Sequence, residues 1–154
     1  MKTIVVGLGN RSFSDDGVGL EVARIIKNSI LDKNVTVVEL SIAGIDILDV
    51  VANYDKAIVV DAVQTQRCKP GTIHRFKPDD TVSSNEISPH DIDIVSSLHL
   101  GRKLGLSLPE EIIIYGIETS NISKPEEGCT PSVSDAVPLC VKKIIAELQS
   151  EHSD

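Results

Sequence analysis

Apolar positions along this chain keep two rhythms, and the alternation between them predicts the architecture. Compact, largely β-branched runs at residues 4–6, 35–40, 57–60 and 111–117 read as buried strands. Between them, apolar residues recur at three- and four-residue spacing, the signature of a helix with one buried face. Val18, Val22, Ile25 and Ile26 mark the first such helix, ending between residues 28 and 31. Ile47, Leu48 and Val51 mark a short second one that ends near Tyr54. Ile94, Val95, Leu98 and Leu104 form the face of a third, over residues 89–104. Pro89 suits its first helical position, Ser88 its cap and Gly105 its end. The last helix spans 133–148, with Val133, Val137, Val141, Ile144, Ile145 and Leu148 on one side and Pro138 inside it.

One further run, residues 72–76, follows a polar loop closed by the turn signal Pro70-Gly71. No helix fits between Asp61 and Thr72, and parallel neighbours need a long crossover. This fourth strand is therefore expected to be antiparallel and to lie at an edge. The resulting pattern, β-α-β-α-β-β-α-β-α, predicts an α/β fold, three-layer α/β/α, on a five-stranded, mostly parallel sheet. A length of 154 residues fits one domain over 1–154, long enough to bury about 70% of its unfolded surface.

Composition narrows the partners. Aromatic residues make up 3% and Trp is absent, so the core must be aliphatic. The net charge is −8, and the 15 basic residues form no run, which argues against nucleic acid. Three cysteines without C-x-x-C spacing suit a reducing compartment and give no zinc knuckle. No apolar run is long enough for a bilayer, and the chain enters a strand at once, so a cytoplasmic protein without membrane attachment is expected.

The chemistry begins at the first strand's end. Gly7-Leu8-Gly9-Asn10 is a glycine turn, but it lacks the third glycine of a dinucleotide site. Asp15 and Asp16 stand where a phosphate would need positive potential. Asp16 follows the first strand, Asp61 ends the third, and His90 opens the third helix. Ligands at the carboxyl ends of such strands converge on one rim. Two carboxylates and an imidazole form an O,O,N donor set that accepts nickel, zinc, iron or manganese. Each has a plainer reading: Asp16 as a helix cap, Asp61 as a turn cap, His90 as a solvated first-turn residue. A cation at a helix N-terminus is disfavoured, which a neutral liganding histidine avoids. Glu118, ending the fifth strand, is a group that could support such ligands. His74, His99 and His152 read as structural or solvent-exposed. Neither G-x-S-x-G, H-E-x-x-H nor a P-loop occurs, and Cys129 lacks a His and Asn context that would make it a nucleophile. From the residues alone, the result is a divalent-metal site on an α/β domain, with no hydrolytic group assigned.

Several segments in order resemble the hydrogenase maturation endopeptidases. These are IVVGLGN at 4–10, DDGVG at 15–19, VVDA at 59–62, PGT at 70–72, SPH at 88–90, GIE at 116–118 and TPSVSDA at 130–136. The resemblance covers nearly the whole chain. It implies strand order 2-1-3-5-4 with strand four antiparallel, in agreement with the reading above. It implies removal of a C-terminal extension from a nickel-iron hydrogenase large-subunit precursor after nickel insertion. By motif match, the metal-contacting positions are Asp16, Asp61 and His90, and the nickel is supplied by the precursor. The loop after the third strand, residues 64–69 with Cys68, departs from the family's frequent glycine there, which touches the choice of hydrogenase partner. Two rivals stand beside this reading. A non-cleaving nickel or hydrogenase assembly chaperone could use the same acidic rim. Peptidyl-tRNA hydrolase has a similar opening turn, but it would want a histidine soon afterwards and a basic surface.

Overall fold

A computed structural model describes residues 1–41, 46–78, 89–120 and 124–151. Its strands are β1 (Thr3–Leu8), β2 (Val35–Leu40), β3 (Lys56–Val63), β4 (Ile73–Phe76) and β5 (Glu111–Glu118). Its α-helices are α1 (Val18–Ser29), α2 (Asp46–Val51), α3 (Pro89–Lys103) and α4 (Pro131–Ser150). The strands form one sheet in the order β2-β1-β3-β5-β4. All neighbours are parallel except β4 and β5, which run antiparallel. The short connection ahead of β4 leaves no room for a crossover, and the strand turns back along the edge as expected.

The central strands β1 and β3 are buried along their whole length, which is why their middles, residues 4–6 and 57–60, are continuously apolar rather than alternating. Alternate residues feed two cores. Val5, Ile58, Val60, Ile113 and Tyr115 pack against α1 and α4. Ile4, Val6, Val59, Ile112 and Ile114 pack on the other face against Ile47 of α2 and Ile94 and Leu98 of α3. Helices on both faces complete the three layers.

Departures from expectation are few. Ile25 is 36% exposed and Leu104 66% exposed, so neither belongs to the core face assigned to it. In α1 that face is carried by Val18, Val22 and Ile26 as expected, and Leu20 and Ala23 are buried besides. The third helix stops before Leu104: the Leu106 amide donates to Gly101 O and the Gly105 amide to Arg102 O, with Gly105 at φ +76°. That is a Schellman closure, which turns the chain out of the helix at the glycine. β3 runs to Val63, so Asp61 lies inside the strand rather than beyond it. A 3₁₀ turn at Ser14–Gly17 precedes α1 and has no periodic signature in the sequence. Ser88 and His152 are outside the described residues.

The sheet's amino-terminal end is tied by charge. Lys56, 4% exposed, pairs with Glu111 at 3.6 Å, with Glu147 at 3.5 Å and more closely with Glu151. Burial opposes the Lys56 ammonium, but these carboxylates outweigh it and raise its pKa. Glu147 also accepts from Arg75 Nη2 at 2.6 Å and from the Tyr115 hydroxyl. Burial disfavours the Glu147 carboxylate, yet these donors hold its pKa below the ordinary value. Burial, then the hydrogen bond to Glu147, pushes the Tyr115 phenol up to about 12. The signs are opposite at the two ends of the pH scale. Glu147 contributes stability at neutral pH that is lost as pH falls through its depressed pKa. Tyr115 contributes stability that is full below 10 and lost as pH rises towards 12. Glu147→Gln should cost about 1–3 kcal/mol at pH 7 in denaturant midpoints, with the gap closing in acid.

Candidate active site

The rim where β1, β3 and β5 end is assembled by close backbone approach. Gly19, in the first turn of α1, has no room for a side chain: a Cβ there would lie 2.4 Å from Val60 O and 2.5 Å from Leu8 O. The helix therefore starts directly on the ends of β1 and β3. Gly9, at φ +146°, lets the chain leave β1 under the 3₁₀ turn, where a Cβ would meet Asp16 O at 2.0 Å. The Asn10 amide donates to that same carbonyl at 3.2 Å. Ser14 holds a left-handed φ of 50° and donates its amide to Glu126 O. A non-glycine residue in this region costs about 1–3 kcal/mol, which the surrounding bonds offset.

The paired acids take different parts. Asp15 is fully buried. One carboxylate oxygen accepts the Thr130 amide at 2.7 Å and the other the Ser120 amide at 2.9 Å, while the Thr130 hydroxyl donates to both at 3.0 Å. Asp15 is thus a clamp joining the 3₁₀ turn to the end of β5 and the start of α4. Asp16 is half-buried at the rim on the same turn.

Asp61, 2% exposed, accepts its neighbour's Ala62 amide at 2.8 Å through Oδ1. Strand alternation puts it on the same face as Ala57 and Val59, the face covered by α3. The third helix precedes β5, whose first residue Glu111 sits opposite Lys56 at the far end of the sheet. Residues just beyond the helix reach that end, where the Asn53 amide donates to Ser107 O at 2.9 Å. The helix therefore descends from the rim, and its first turn, which contains His90, starts there. The His90 side chain lies outside the described residues.

Glu118 is 1% exposed and well held. It accepts the Thr65 amide at 2.9 Å and the Thr65 hydroxyl, and it faces His74 Nε2 at 3.3 Å. His74 is thus not a bystander but the partner of a buried acid, whereas His99 is exposed on its helix. Spacing gave no hint of this pair, because it depends on the antiparallel register that sets His74 opposite Gly116. Burial first, then the Asp15 and Glu21 charges, push the Cys129 thiol up to about 11, which disfavours the thiolate that a nucleophile needs. A cleft of about 700 Å³ opens on the far side of the 3₁₀ turn, between Arg11, Glu21, Arg24, Cys129 and Pro138. It faces the α1 and α4 side, away from Asp61.

The three-layer α/β architecture and polar carboxyl-end rim place this chain among open-sheet α/β proteins whose sites are built from the loops at the ends of their strands. The hydrogenase maturation protease family profile matches residues 20–147. The chain therefore belongs to the hydrogenase maturation protease family and is a hydrolase of that kind. It is 26% identical over 152 residues to the hydrogenase 2 maturation protease of Escherichia coli, an alignment covering 97% of this chain and 92% of that one. The structure superposes on the hydrogenase maturating endopeptidase HybD from E. coli with a TM-score of 0.86 at 25% identity, covering 98% and 94% of the two chains. The [NiFe] hydrogenase maturation protease HybD from Thermococcus kodakarensis shares the fold, with a TM-score of 0.71 at 23% identity over 96% of this chain and 99% of that one. Among the described residues, no helix is long and apolar enough to cross a membrane.

Proposed function

We propose that this chain is a cytoplasmic endopeptidase that removes the C-terminal extension of a nickel-iron hydrogenase large-subunit precursor once nickel has been inserted. Asp16, Asp61 and His90 contact that nickel, which belongs to the substrate. The observation that carries the reading is the shared rim: the turn bearing Asp16 sits on the ends of β1 and β3, and Asp61 faces the helix that His90 opens.

Two carboxylates and one imidazole suit a borderline divalent ion and leave coordination positions for the precursor's own ligands. Nickel held there supplies Lewis-acid polarisation near the bond to be cut. The protein's part is to fix the donors. The Asp15 clamp and the close approach of Gly19 hold the turn, and the Ala62 amide orients the Asp61 carboxylate. The precursor is recognised by its metal as well as by its chain, and cleavage is licensed by metal occupancy.

The test is mass spectrometry of a nickel-loaded and a nickel-free precursor, each incubated with the protein. Loss of the extension from the loaded form alone is expected. Equal cleavage of both forms removes the metal licence. Stable binding of the loaded form with no change in mass makes the protein an assembly chaperone rather than a protease.

A further inference from the structure

We propose a second metal site on this protein, formed by Cys68, His74 and Glu118 and taking a single divalent transition-metal ion, with zinc the best match. One ligand atom from each residue lies within 4.8 Å of the others. They come from three different places. Cys68 is exposed in the connection between β3 and β4, His74 lies on β4, and Glu118 ends β5.

The separations suit an ion. A tetrahedral metal with bonds of about 2.0–2.1 Å to nitrogen and oxygen keeps those two atoms about 3.3 Å apart. His74 Nε2 and Glu118 Oε1 are 3.3 Å apart. With a bond of about 2.3 Å to sulfur, the thiolate should stand about 3.6 Å from each. Cys68, on an exposed connection, needs only a small adjustment from the observed spread to reach that distance. Binding exchanges the Cys68 thiol proton for the metal and releases that proton to solvent.

The surroundings are those of a supported ligand set. Thr65 holds the Glu118 carboxylate through its amide and hydroxyl, as outer groups orient a metal-binding carboxylate. Strand β4 fixes the His74 backbone opposite Gly116. A thiolate, an imidazole and a carboxylate together favour zinc or cobalt over magnesium or calcium, which prefer oxygen alone. Three protein ligands leave a fourth position for water.

The site shares no ligand with the nickel-contacting set. In register, Asp61 pairs with Gly116 and Gly116 with His74, so His74 lies two strands from Asp61, about 10 Å at ordinary strand spacing, while Glu118 stands on β5, the strand beside Asp61. An ion here would pin the connection that leaves β3 just beyond Asp61. It does not require the proposed nickel chemistry.

The experiment is titration of chelator-stripped, reduced full-length protein with cobalt(II) alone, followed by the thiolate-to-cobalt charge-transfer absorption. One equivalent should develop the band in wild type and equally in Asp61→Asn, which alters only the other set. Cys68→Ser should abolish the band, and this exposed position tolerates the change without loss of fold. His74→Gln should weaken binding by about a hundredfold or more, since it removes a ligand rather than an outer group. No band in wild type overturns the site, as does a band that survives in Cys68→Ser or disappears in Asp61→Asn.

Discussion

Asp61→Asn is expected to lower precursor processing by about a thousandfold or more, the equivalent of about 4 kcal/mol in the barrier. The substitution is nearly isosteric, and the asparagine Oδ1 can still accept the Ala62 amide that Asp61 accepts at 2.8 Å. The strand and both cores should therefore stand. What is lost is the negative charge on the face covered by α3, one of three donors proposed to read the nickel. Rate of extension loss against a fixed nickel-loaded precursor gives the activity, and the denaturant midpoint gives the fold. A midpoint near wild type with processing gone is the expected pair. Processing at the wild-type rate would remove Asp61 from the site.

Gly19→Ala should act by the opposite route, through the scaffold. A methyl group at this position would press on two carbonyl oxygens, of Val60 and Leu8, at 2.4 and 2.5 Å. Both belong to central strands that cannot yield, so α1 must withdraw. We expect a loss of about 3 kcal/mol or more, or about 6–12 °C in Tm for a chain of this size. Processing should fall with it, because the turn carrying Asp15 and Asp16 leads straight into that helix. Gly105→Ala is the contrast: its left-handed φ makes alanine cost about 1–2 kcal/mol, but nothing lies within 4 Å, so the rim is untouched. Equal stability losses in the two variants would mean that the close approach at Gly19 is not tight.

These two positions show what the sequence exposes and what it conceals. Strands and helices were legible because burial on one or both faces imposes a rhythm that local reading detects. The reversal of β4 was legible for a different reason: the chain between Asp61 and Thr72 is too short for a crossover. The resemblance supplied the strand order, and the sheet follows it. The division of labour between Asp15 and Asp16 was not legible. It depends on amides at Ser120 and Thr130, more than a hundred residues away, which turn the first acid inward. The partnership of His74 and Glu118 was hidden likewise, since two residues 44 apart meet only through antiparallel register. Ile25 and Leu104 have the right spacing for a core, but Ile25 stands at the solvent side of α1 and Leu104 lies past the end of its helix. Periodicity records which positions can face inward, and neighbouring elements decide which of them do.

The Asp15 carboxylate grips backbone from two segments that meet nowhere else in sequence. Neither segment can peel away without breaking a bond to a buried charge, so the turn, the stretch after β5 and the beginning of α4 should open as one cooperative unit rather than fray separately. A loop-built rim of this kind can keep the stillness of a core while standing at the surface, where the proposed precursor tail would have to reach it.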